Sequence, residues 1–95
     1  MLIINQCHDV LFDTTSAMIR IAYRETTKKY VVLGINGGYG SVELFTLDTE
    51  EDAKKVLTII KYAMLLDNRI LDFSAADVAN NLDVIIEGFE TLMKK

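Results

Sequence analysis

Two spacings of apolar residues divide this chain, with a period of two before Asp48 and a period near three and a half after it. Ala17 to Arg24 places Ile19, Ile21 and Tyr23 on one side and Met18, Arg20, Ala22 and Arg24 on the other, the alternation of a half-buried strand. Tyr30 to Ile35 is rich in β-branched and aromatic residues and reads as a second long strand. Asn36-Gly37-Gly38 supplies the positive φ angles of a tight hairpin turn, so the chain is expected to reverse there into Ser41 to Leu47. Upstream, Leu2 to Ile4 and Val10 to Phe12 flank a polar stretch, Asn5 to Asp9, that is either a hairpin turn or the middle of one irregular strand. Asp13-Thr14-Thr15-Ser16 is a turn cluster, because short polar side chains bond back to their own backbone.

At Asp48 the period changes. Thr49-Glu50-Glu51-Asp52 has the form of a helix-capping segment, with acidic side chains at the positive end of the helix. Ala53, Val56, Leu57, Ile60, Ala63 and Met64 then recur at helical spacing, opposite Lys54, Lys55 and Lys61. Arg69 to Phe73 is a short connection able to add an edge strand. Ser74-Ala75-Ala76-Asp77 repeats the capping pattern, and Val78, Leu82, Ile85, Phe89 and Leu92 follow as a heptad seam. The lysines at the end of the chain suit the negative end of such a helix. Together these features predict one α+β domain over 1–95: an antiparallel β-meander of three to four strands at about 1–47, then α-helices at about 50–67 and 75–94. Consecutive strands without intervening helices argue against a doubly wound parallel sheet.

Composition narrows the classes of function. Ninety-five residues with no Pro-rich or low-complexity linker fit a single domain, and 51% apolar residues exclude a disordered one. The uninterrupted apolar runs fall far short of the roughly 20 residues of a membrane span. The first residues lack a basic segment, so no secretory leader is expected, and one cysteine, Cys7, cannot form an internal disulfide. A cytoplasmic location follows as the expectation. Of the net charge of −4, none arises before Asp48, where Arg20, Arg24, Lys28 and Lys29 balance Asp9, Asp13, Glu25 and Glu43. An acidic chain lacks the phosphate-neutralising charge of a general nucleic-acid binder, although those four cations with Tyr23 and Tyr30 could form a local patch.

Several constellations invite chemistry and have plainer explanations beside them. Gly34, Gly37, Gly38 and Gly40 lie between two strands, whereas a phosphate-binding loop runs from a strand into a helix and carries a Lys-Ser/Thr pair. Cys7-His8-Asp9 unites a nucleophile, a base and a carboxylate in sequence, yet neighbours on a strand face opposite ways, and two ligands fall short of a metal site. Asp48, Glu50, Glu51 and Asp52 could hold a cation, but helix capping accounts for them. Asp67, Asp72, Asp77 and Asp83 show neither EF-hand spacing nor an acid/base pairing. No cofactor is expected.

The seam Val78, Leu82, Ile85, Phe89 and Leu92 is the most suggestive feature, for Ile86 and Met93 widen it and Gly88 would admit another backbone. It points to a non-enzymatic protein-interaction module that self-associates through its C-terminal helix. Two other readings stand beside it: a small acidic inhibitor from a mobile element that occupies a basic host protein, and a ligand-binding domain or enzyme using Cys7 and His8.

The opening Met1 to Gln6, the first strand ending at Phe12-Asp13, and Leu44 to Leu57 with Thr49-Glu50-Glu51 and Ala53-Lys54-Lys55-Val56-Leu57 carry a resemblance. They are similar to a group of small uncharacterised proteins of low-GC Gram-positive bacteria, their phages and mobile elements. The resemblance spans about the first two-thirds of the chain and implies a β-meander followed by a helix. It transfers no active site, and the helix after Ser74 departs from the shorter tail of that group.

Overall fold

The structure is a computed structural model and describes residues 1–37, 40–75 and 77–94. It is an α+β fold with eight elements among those residues: β1 (Leu2–Ile4), β2 (Leu11–Asp13), β3 (Ala17–Arg24), β4 (Lys29–Asn36), β5 (Ser41–Leu47), α1 (Glu50–Leu65), β6 (Ile70–Asp72) and α2 (Leu82–Met93). No described helix is long and apolar enough to cross a membrane.

The strands form two sheets, of orders β2-β1-β6 and β3-β4-β5, where the spacing alone suggests one continuous meander. The break falls at the polar turn 13–16. The Asp13 carboxylate accepts from the Thr15 amide at 2.9 Å, Ser16 takes a φ of 57°, and the Thr14 amide donates back to the Met1 carbonyl. That turn ties the end of β2 to the start of β1, so β3 begins outside their ladder. Asn5 to Asp9 is a hairpin turn, and β6 joins the small sheet parallel to β1, pairing Leu71 with Ile3.

In the larger sheet, β3 and β4 pair without interruption from Ala17–Asn36 to Arg24–Lys29, and a bulge between β4 and β5 sets Leu44 apart from the alternating pattern. The two-residue hairpin expected at Asn36-Gly37-Gly38 involves Gly38, which lies outside the described residues; the reversal itself is present, with Ile35 opposite Ser41.

Thr49 caps α1 as the sequence predicts, its hydroxyl accepting from the Asp52 amide at 3.1 Å. Ala53, Val56, Ile59, Ile60 and Ala63 turn inward from α1 onto the sheet face formed by Val32, Phe45 and Leu47. Ile3 and Phe12 of the small sheet join the same core, as does Phe73, whose ring stands edge-on to Phe45 at 5.2 Å. Each such large side chain contributes about 1.5–3 kcal/mol on burial. The C-terminus of α1 closes with the Asn68 amide on the Ala63 carbonyl and the Asp67 amide on that of Met64, around a left-handed Asp67 with φ 58°.

The second helix starts at Leu82, later than the seam suggests. The Ser74 hydroxyl and amide both donate to the Asp72 carboxylate, at 2.6 and 2.8 Å, which leaves Ser74 unavailable as a cap. Asp77 then adopts a φ of 66°, a conformation that interrupts a right-handed helix. Of the expected capping segment, Ala76 lies outside the described residues, as does Lys95 of the terminal lysine pair.

Candidate functional site

The heptad seam is largely engaged within the chain. Leu82 is buried, and Val78, Ile85 and Phe89 are half-buried against the common core, together with Ile86. Lys55 on α1 reaches the Asp83 carboxylate at 3.1 Å and ties α2 down, and the same contact raises the Lys55 pKa above its ordinary value. Leu92 alone of the five is strongly exposed, alongside Val84 and Met93. Gly88 has open space where a Cβ would stand.

Cys7, His8 and Asp9 occupy the exposed β1–β2 turn, and buried Asn5 explains its shape. The Asn5 side-chain Oδ1 accepts from the Asp9 and Val10 amides at 3.0 and 3.1 Å, and its Nδ2 donates to the Asp9 carboxylate at 2.7 Å and to the Glu43 carbonyl at 3.2 Å. Asp9 is therefore directed to Asn5. His8, with φ 57°, meets Ser74 instead, Nδ1 to Oγ at 2.6 Å. Because Ser74 donates to Asp72, its oxygen is free to accept from His8. The Ser74 hydrogen bonds are the main reason that the Asp72 pKa is lowered, with His8 a smaller contribution. In this chain of contacts the serine stands between acid and imidazole, whereas in a catalytic triad the imidazole stands between acid and serine. Sequence reasoning missed the contact because it joins residues 66 positions apart; the Asp-x-Ser spacing that makes the turn was its one visible signal. Among the described residues no group of three or more His, Cys, Asp or Glu is placed to hold a metal.

The four cations of the first half are split. Arg24 pairs with Glu43 at 2.5 Å, Lys29 pairs with Asp48, and Lys28 sits at φ 56° in the β3–β4 turn. Arg20 stays exposed on the outer face of β3. The acidic residues at the start of α1 serve that helix, Glu50 bonding Lys54 at 3.1 Å and Asp52 lying 3.7 Å from Lys55. Gly34 is roofed by the Phe12 ring, and Gly38 lies outside the described residues.

One surface has no such internal use. β3 is the outermost strand of its sheet, and among the described residues no backbone group pairs with its free edge from Met18 to Arg24. The opposite edge is different: the Gln6 amide donates to the Leu44 carbonyl, and the Gln6 side chain accepts from the Thr46 amide, each at 2.9 Å. Beside the free edge runs an apolar groove of about 460 Å³ between β3 and the C-terminal half of α1, lined by Ala17, Ile19, Leu57, Ile60, Met64 and Leu65, with Lys61 at its rim. Met64 and Leu65 are strongly exposed there. At the other end of the strand Tyr23 is 49% exposed and leans on Tyr30, centroid to centroid 4.9 Å, near Glu50 and Lys54. Alternation revealed the two faces of β3, but nothing local in a sequence states whether a strand lies at an edge.

Comparison with known proteins adds no relative: no protein-family model, no curated protein and no solved structure matches the chain.

Proposed function

We propose that this chain is a non-enzymatic protein-interaction module whose contact surface is the free edge of β3 with the groove beside it. The observation that carries the reading is the contrast between the two edges of one sheet. The β5 edge is capped by Gln6, while the outward backbone groups of β3 from Met18 to Arg24 have no backbone partner among the described residues and lie next to exposed apolar side chains. Natural edge strands are blunted by charged side chains, a bulge, a proline, an inward-pointing charge or a covering element, and of these β3 carries the charges alone, Arg20 and Arg24 on its outer face. β3 pairs with β4 without a bulge, contains no proline, and faces α1 with Ala17, Ile19, Ile21 and Tyr23 only. Strand addition at such an edge draws affinity from main-chain hydrogen bonds and specificity from the neighbouring pockets.

The α2 seam supports this role indirectly. Four of its five residues pack against the common core, and the exposed Leu92 and Val84 belong to a narrower strip. A photo-crosslinking side chain placed at Leu65, on the rim of the groove, tests the reading in the cell that makes the protein. A covalent adduct with a protein chain is the expected result. Absence of any adduct from Leu65, or a yield no greater than that from a site remote from the groove such as Glu87, contradicts it.

A further inference from the structure

We infer that the partner at this edge is a second copy of the chain, its β3 lying antiparallel to the first with Ile21 on the two-fold axis; the inference rests on the interaction-module reading and names its occupant. Directly opposed residues of antiparallel strands share a face. A two-fold pairing of one strand with itself must therefore centre on a residue rather than between two. Two centres keep seven of the eight residues of β3 paired: Arg20, which aligns Ala17 to Tyr23, and Ile21, which aligns Met18 to Arg24. The first sets Arg20 against Arg20 of the second copy, a like-charge opposition that destabilises a sheet. The second sets Ile21 against itself, Ile19 against Tyr23, Arg20 against Ala22 and Arg24 against Met18. No two cations then stand opposite each other.

The flanking helix agrees with that register. Tyr23, Glu50 and Lys54 share one end of the β3–α1 seam, and Ile19, Lys61, Met64 and Leu65 share the other. A two-fold axis through Ile21 exchanges these ends. Tyr23 of the second copy comes to the mouth of the groove beside Ile19, and Glu50 of the second copy approaches Lys61. Among the described residues Lys61 has no carboxylate within ion-pair distance, so the pairing gives it an opposite charge. Exposed ring and open groove, anion and cation, each sit at opposite ends of one surface, which is what an isologous interface requires. A specific interface takes about 800 Å² from each partner, roughly one eighth of the 6158 Å² that the chain exposes.

Sedimentation equilibrium of the purified full chain, with two variants on the outer face of β3, tests the register as well as the association. Ala22→Arg sets a cation against Arg20 of the second copy, twice per dimer, and is expected to weaken association roughly tenfold. Met18→Glu sets a carboxylate against Arg24 and is expected to strengthen it several-fold. Met18 is exposed and Ala22 half-buried on the outer face of β3, and circular dichroism of each variant checks that it is folded. A chain monomeric at high micromolar concentration, or a dimer whose affinity neither substitution moves, overturns the inference. In the crosslinking experiment at Leu65, an adduct with twice the chain mass supports self-pairing; an adduct with a different protein overturns it while leaving the interaction-module reading intact.

Discussion

Phe12 lies over Gly34 so closely that a Cβ on position 34 would come within 2.6 Å of its ring. The contact joins the two sheets, since Phe12 belongs to β2 and Gly34 to β4, the central strand of the larger sheet. Phe12 is itself 5% exposed and held among core neighbours, so the ring has little room to yield. Gly34→Ala is expected to destabilise the fold by about 1–3 kcal/mol through overpacking, read from urea unfolding. In the double variant with Phe12→Leu the added cost of the alanine shrinks; if it does not, the joint is wrongly described.

Asp67 closes α1 at a left-handed φ of 58°, a position where glycine carries no Cβ penalty. Its negative charge also stands at the negative end of the helix. Asp67→Gly is therefore expected to stabilise the protein by about 0.5–1 kcal/mol, measured as a shift of the urea midpoint at unchanged slope.

The two ends of the α2 seam are expected to behave differently. Leu82 is 4% exposed and Leu92 is 56% exposed. Leu82→Ala costs about 2–5 kcal/mol by cavity formation, whereas Leu92→Ala stays within about 0.5 kcal/mol. Comparable losses at both sites in thermal unfolding would mean that α2 is buried along its whole length.

Acid stability follows from Asp72 and Asp13, whose pKa values are both lowered, chiefly by hydrogen bonds from Ser74 to the former and from Thr15 to the latter. A lowered folded-state pKa contributes stability that is present above the ordinary value of 3.8 and is lost as pH falls through the folded-state value. The Lys55 pKa is raised, so its contribution is present below the ordinary value of 10.5 and is lost as pH rises beyond it. Melting temperature is expected to fall at both extremes, and Asp72→Asn to flatten the acid limb. An acid limb unchanged in Asp72→Asn assigns that loss of stability to other groups.

Much of this fold was legible because local chemistry and tertiary packing agree. The alternation of Ala17 to Arg24 gives the bounds of β3, and the Thr49 cap with the spacing of Ala53, Val56, Ile60 and Ala63 gives α1. What escaped depends on distant partners. The parallel pairing of Leu71 with Ile3 joins segments on opposite sides of the meander, and the start of α2 was displaced because Ser74 bonds Asp72 rather than a helix amide. The candidate site escaped for the same reason. Ile19 and Leu65 are unremarkable apolar residues until β3 proves to be outermost and α1 proves to leave a groove along it.

Hydrogen exchange across Met18 to Arg24, followed over a dilution series, is the most direct measurement of the central claim. In a lone chain the outward amides of β3 have no acceptor and exchange freely, while the inward ones are held by β4. Self-pairing predicts that protection of the outward amides rises with protein concentration, while β4 and α1 keep theirs throughout. Rates in β3 that do not change with concentration would contradict it.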